Sequence, residues 1–175
     1  MEEPIVNRVA KSPIVTIDLE QFYPTYDIVI MDIADWLKDG FLLIEKDFRA
    51  TLKAEDFSRY KNKLVGVICS KDALIPDWAW MLIEAHLSEF AALVCHGDKA
   101  TLISKWYTRS FSKFDFSQYQ NKPVIVKACS TESLPPEVFI QIAEHLKPFA
   151  KLISYGEACS SVPVYKKITF QETRT

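Results

Sequence analysis

A thiol, a hydroxyl and a carboxylate stand close together twice in this chain, as Cys69-Ser70-Lys71-Asp72 and as Cys129-Ser130-Thr131-Glu132. Each set follows an apolar run and precedes a proline suited to the first turn of a helix, Pro76 or Pro135. A thiol just ahead of a helix N-terminus feels the positive end of the helix dipole, which favours thiolate. Asp72 or Glu132, three residues after the thiol, can accept a proton or, as the plainer role, cap the helix. Both loops lie where open α/β sheets hold ligands, beyond the carboxyl ends of strands. Cys159 stands in Gly156-Glu157-Ala158-Cys159-Ser160-Ser161, a turn of small and polar residues after a strand, where a side chain is accessible. Cys129 and Cys159 therefore form the candidate thiol pair or metal site, completed by Glu132, Glu157 or a histidine. Cys69, Asp72, Glu132 and Glu157 are the candidate binding residues. The plainer reading makes each cysteine a small apolar residue at a strand end, with Cys95 the strongest case.

His86 and His145 hold matching places, three residues after Ile83 or Ile142 and four before Phe90 or Phe149. That is the border of an apolar helix face, so packing is the first role expected of them. His86 or Asp72 as a base, in a small-molecule enzyme with its site between the repeats, is the weaker rival. Trp78 and Trp80 lie two apart and cannot share one helix face, which points one of them toward a partner chain. The sequence holds no glycine-rich phosphate loop, nucleophile elbow or His-Glu-x-x-His, and only four glycines in all.

The elements that must position these residues come from a repeat. Sliding the sequence by 59 places lays Leu42 to Asp98 on Thr101 to Glu157 without a gap, and 19 of the 57 pairs are identical. Asp56-Phe57-Ser58 and Tyr60 recur as Asp115-Phe116-Ser117 and Tyr119; Asn62-Lys63, His86-Leu87 and Gly97 recur as Asn121-Lys122, His145-Leu146 and Gly156. Each repeat is expected to open on an apolar run and continue into a strand, over Phe48 to Leu52 and Tyr107 to Phe111. A corner at Asp56 to Tyr60 or Asp115 to Tyr119 follows. Next come a buried strand (Leu64 to Cys69, Val124 to Cys129), a helix (Pro76 to Glu89, Pro136 to Leu146) and a strand (Ala91 to Cys95, Lys151 to Tyr155). A strand-helix-strand unit is a right-handed crossover, so each repeat carries a parallel pair. The fold class expected is α/β or α+β: internally duplicated strand-helix-strand units forming a mixed sheet with helices packed on it.

Residues 1–41 read as a leader packing on the repeats, with a helical turn at Ile5 to Ala10, strands at Ile14 to Ile17 and Asp27 to Ile30, and a helix at Asp32 to Lys38. The first repeat is 42–98, the second 101–157, and 158–175 a final strand and tail, all within one compact domain.

The chain has 175 residues, 49% hydrophobic and 25% charged, with 21 basic against 23 acidic residues and a net charge of -2. That balance argues against nucleic acid as a partner. No apolar run reaches the roughly 18 residues of a membrane span, and the acidic start Met1-Glu2-Glu3-Pro4 differs from a secretory signal. Cytoplasmic residence and reduced thiols are expected.

Asn7-Arg8-Val9-Ala10, Glu45-Lys46-Asp47-Phe48-Arg49, Asp72 to Ala79, Lys127-Ala128-Cys129 and Gly156 to Lys166 together resemble a small bacterial domain-of-unknown-function family over most of the chain. The family's pattern has glycine where this chain has Ala128 and proline where it has Ala158, changes that alter the turns aiming Cys129 and Cys159. The resemblance implies no reaction. It implies an association with iron-sulfur assembly genes, which adds an iron-sulfur cluster to a metal ion as the cofactor of the thiol reading. The leading expectation is a non-catalytic binding protein with a protein partner, as a homodimer; the rival is an accessory protein of metal or iron-sulfur assembly using Cys129 and Cys159.

Overall fold

The computed structural model describes residues 14–128 and 133–168. Its strands are β1 (Val15–Asp18), β2 (Ile28–Asp32), β3 (Leu64–Ile68), β4 (Leu93–His96), β5 (Pro123–Lys127), β6 (Leu152–Glu157) and β7 (Ser160–Lys166). Its helices are α1 (Glu45–Ala54), α2 (Asp77–Leu87), α3 (Lys99–Phe111) and α4 (Pro136–Leu146). The fold is α/β. The chain divides into two units, Pro24–Tyr107 and the segments on either side of it, up to Tyr23 and from Thr108.

In the unit Pro24–Tyr107, β2, β3 and β4 form a parallel sheet in that order. The apolar run of β3 is explained by cover on both faces. Val65 and Val67 join Ile33, Phe48, Ile83 and Leu87 in one core, whereas Leu64 joins Cys95 and Leu102 in another. On α2, Ala79, Ile83 and Leu87 recur every four residues, so one stripe is buried. Ile83 and Leu87, fully buried, contribute about 2 kcal/mol each. Gly66 is required by close approach, because a Cβ there would meet the Gly97 carbonyl oxygen at 2.6 Å and Ile30 Cδ1 at 2.8 Å.

In the other unit, the sheet order is β1-β5-β6-β7, parallel except for the antiparallel β7. Val138, Ile142 and Leu146 form the buried stripe of α4. Phe22 meets Phe111 and Phe114 edge-on, with centroids 5.1 and 5.0 Å apart.

The elements of the two repeats coincide at the 59-residue offset: 3-10 turns at Phe57–Tyr60 and Phe116–Tyr119, strands β3 and β5, helices α2 and α4. Asp56 and Asp115 cap those turns by accepting the amide of Ser58 or Ser117, and both carboxyls are held below the usual carboxylate range by the serine hydroxyl and amide. Asn62 and Asn121 have φ of 58° and 57°, a left-handed conformation that asparagine tolerates. Two segments of the leader resemble each other as well. Val15-Thr16-Ile17-Asp18-Leu19 and Val29-Ile30-Met31-Asp32-Ile33 each run from a strand into a 3-10 turn, and Asp18 and Asp32 each accept an amide two residues on at 3.0 Å. One leader strand joins each sheet, β1 against β5 and β2 against β3.

Several element expectations are corrected. Phe48 to Leu52 and Tyr107 to Phe111 are helical, in α1 and α3, rather than strands. Phe48 and Leu52 are both buried, as are Tyr107 and Phe111; a spacing of four puts two residues on one face in a strand and in a helix alike. Asp32 to Lys38 is not an α-helix: Asp32 ends β2, and only Ala34–Trp36 turns, as a 3-10 segment. Ile5 to Ala10 lies outside the described residues.

Candidate functional site

The loop after β3 is organised by Asp32. Its carboxylate accepts the amides of Ala34 and Ser70, each at 3.0 Å, and the Ser70 hydroxyl holds its pKa below the usual range. Cys69 is half-buried and donates its thiol to the Lys71 carbonyl at 3.5 Å. α2 begins only at Asp77, its N-cap is Pro76, and Asp72 is an exposed loop residue that does not cap it. The dipole of α2 therefore starts eight residues beyond the thiol that was expected to feel it. Asp18, the counterpart of Asp32, lies 3.4 Å from the Lys127 ammonium.

Cys129 and Glu132 lie outside the described residues. Cys159 is exposed in the two-residue turn Ala158-Cys159 that joins β6 to β7, and Glu157 pairs with Ser160 across that turn. Among the described residues, no three His, Cys, Asp or Glu side chains come together as a metal site would require.

The histidines are ring-stacking residues. His86 lies on Phe57 at 5.2 Å and 10°, and His145 on Phe116 at 4.9 Å and 18°. Both tryptophans are half-buried within their own unit, Trp78 edge-on to Phe48 at 5.9 Å and Trp80 against His96 at 4.5 Å. The exposed apolar residue of that helix is instead Met81, at 72%.

The structure adds a site that sequence reasoning missed. Each unit has a cleft where its crossover helix meets the edge of its last repeat strand, and the linings correspond at the 59-residue offset. Val67, Trp80, Ile83, Glu84, Val94, Cys95 and His96 line one; Val126, Phe139, Ile142, Ala143, Ile153, Ser154 and Tyr155 line the other. Trp80 against His96 is matched by Phe139 edge-on to Tyr155 at 5.6 Å. The clefts differ in what happens at the strand edge. On β4 the Val94 carbonyl is taken by the Lys105 ammonium at 2.8 Å, and the cavity is small, about 280 Å³, with Glu84, His96 and Lys105 around it. Burial pushes the Cys95 thiol up, so it stays protonated there. At the same position of the other unit, Ile153 pairs with Tyr165 of β7. That strand adds Val162 and Val164 as a further wall, and the cavity is about 470 Å³ and almost wholly apolar. It continues along α4 past Ile140, Glu144, Lys147 and Tyr165. The signal legible in sequence was the small set of unmatched apolar residues, Val162 and Val164, in the segment after the repeat.

A family model described as "Protein of unknown function (DUF2480)" matches residues 3–167. No curated protein matches the chain, and no solved structure does. No helix among the described residues is long and apolar enough to cross a membrane.

Proposed function

The chain belongs to the protein family of unknown function DUF2480, which hands it no reaction, and we propose that it is a non-catalytic binding protein that holds a protein partner in the groove between α4 and the β6–β7 ribbon. The observation that carries this reading is the difference between the two corresponding clefts. One strand edge is closed by a lysine; the other is extended by β7, whose Val162 and Val164 stand 64% and 58% exposed beside the apolar cavity. Contiguous exposed apolar surface of this kind marks binding sites. The free thiols of Cys69, Cys95 and Cys159 support work in a reducing compartment such as the cytoplasm.

The test is titration with an environment-sensitive apolar dye, followed by fluorescence, on the full chain and on a Val162→Asp, Val164→Asp variant. Saturable binding by the parent and its loss in a variant that unfolds at the same denaturant concentration is the expected result. No saturable binding by the parent, or equal binding by the folded variant, overturns the groove as the site.

A further inference from the structure

We infer that the partner segment seated in this groove is an acidic amphipathic helix, a statement that rests on the groove reading above. The first argument is geometric. Strands lie about 4.8 Å apart and packed helices about 8–10 Å apart, so one helix covers roughly two strands. The crossover from β5 to β6 places α4 over that pair, and β7 extends the sheet by one strand whose valines remain exposed on the helix side. The vacant width beside α4 is that of a second helix.

The outer edge of β7 argues against an added strand instead. Pro163 has no amide to donate, and the register with β6 slips between Ile153 and Ser154. Proline and bulges are the devices that keep sheet edges from pairing. A partner therefore covers the face and not the edge.

Charge complementarity fixes the occupant's character. The Lys167 amide donates to the Lys151 carbonyl at 2.9 Å, and the Lys151 amide donates to the Lys122 carbonyl at 2.9 Å; Lys166, paired with Leu152, alternates onto the other face of the sheet. Lys147, at the end of α4, reaches over the Tyr165 ring at 5.8 Å. Four lysines, Lys122, Lys147, Lys151 and Lys167, thus gather at one end of the groove, three of them exposed, and among the described residues none forms an ion pair. The groove lining includes one acid, Glu144. In the other unit Ser88 and Ala92 stand where Lys147 and Lys151 do. An apolar trough with a basic end fits a helix that buries one apolar stripe and carries Asp and Glu beside it.

None of the described helices of a second copy of this chain fits. The exposed large apolar residues on its described helices are Met81 and Ile140, one to a helix and too few for a stripe. The occupant is a helix of another protein.

The experiment uses the full chain and two synthetic helical peptides that share a leucine stripe, one with glutamates and one with lysines on the polar face. Binding is followed by fluorescence anisotropy at low salt. The acidic peptide is expected to bind at least about tenfold tighter than the basic one, with the preference shrinking at high salt. A Lys147→Glu, Lys151→Glu variant is expected to abolish or reverse the preference, and Val162→Asp with Val164→Asp to abolish binding of both peptides. Equal binding of the two, or binding of neither while the apolar dye still saturates, overturns the acidic helix and leaves the groove reading standing. Failure of the dye as well removes both. A dimer by sedimentation whose dissociation uncovers the dye site makes a second copy the occupant and overturns the inference.

Discussion

His86 lies almost flat on Phe57, with centroids 5.2 Å apart and ring planes 10° from parallel, and His145 repeats the arrangement on Phe116. The stack joins the crossover helix to the 3-10 turn of its own unit, since Phe57 and Phe116 are the first residues of those turns. His86→Ala is expected to lower stability by about 1–2 kcal/mol in denaturant unfolding, and His86→Phe by less than half of that. Peptide and dye binding are expected to be unchanged in both. Equal losses for alanine and phenylalanine would show that stacking is not what holds this position.

Four carboxylates hold backbone corners: Asp32, Asp56, Asp98 and Asp115, each with its pKa pulled down by a serine or threonine neighbour. A depressed folded-state pKa contributes stability that is complete above the unfolded value, about 3.9, and is lost as pH falls through the folded value below it. Unfolding midpoints are therefore expected to be flat from pH 7 to about 5 and to fall steeply below about 4. Asp32→Asn is expected to flatten part of that acid slope. An unaltered slope in this variant would remove Asp32 from the set.

Gly66→Ala tests the close crossing of β3 under Gly97. The contact atom is a backbone carbonyl oxygen at 2.6 Å, which cannot rotate away as a side chain can. A loss of about 2–3 kcal/mol is expected in equilibrium unfolding. A neutral substitution would mean that the Gly97 turn shifts at little cost.

Thiol reactivity should separate the cysteines by environment. Cys159 is exposed in a turn, whereas Cys95 is buried and its pKa is raised by desolvation. Maleimide labelling of the native protein at pH 7 is expected to modify Cys159 at least about a hundredfold faster than Cys95, with mass spectrometry locating the label. Comparable rates would require frequent local opening of β4.

The repeat made the second half of each unit legible. β3, α2 and their counterparts combine strong apolar patterning with a proline at the helix start, so two independent signals agree. α1 and α3 were misread because Phe48 and Leu52, or Tyr107 and Phe111, stand four apart, which is both an even number and close to one helical turn. The partners of β1 and β2 were not legible, since parallel registers such as Asp18 with Lys127 join residues distant in sequence. The groove was illegible for a related reason: it needs β7 beside β6 and α4 above, a coincidence of three elements that no short motif encodes. Asn62 and Asn121 were visible as matched residues, but their left-handed backbone explains the match only once φ is known.

The order of the strands sets an order of events at the ribosome. β1 leaves the exit tunnel first, yet its hydrogen-bonding partner β5 is made only after the whole unit Pro24–Tyr107. That unit has all its strands in one continuous stretch and can close while synthesis continues. Its closure shortens the effective loop between Asp18 and Pro123, so the later sheet forms around a loop already tied off and at a smaller entropic cost. Transplanting the β1 segment to the far side of Lys166 would remove that dependence, and the two units would then be free to fold in either order.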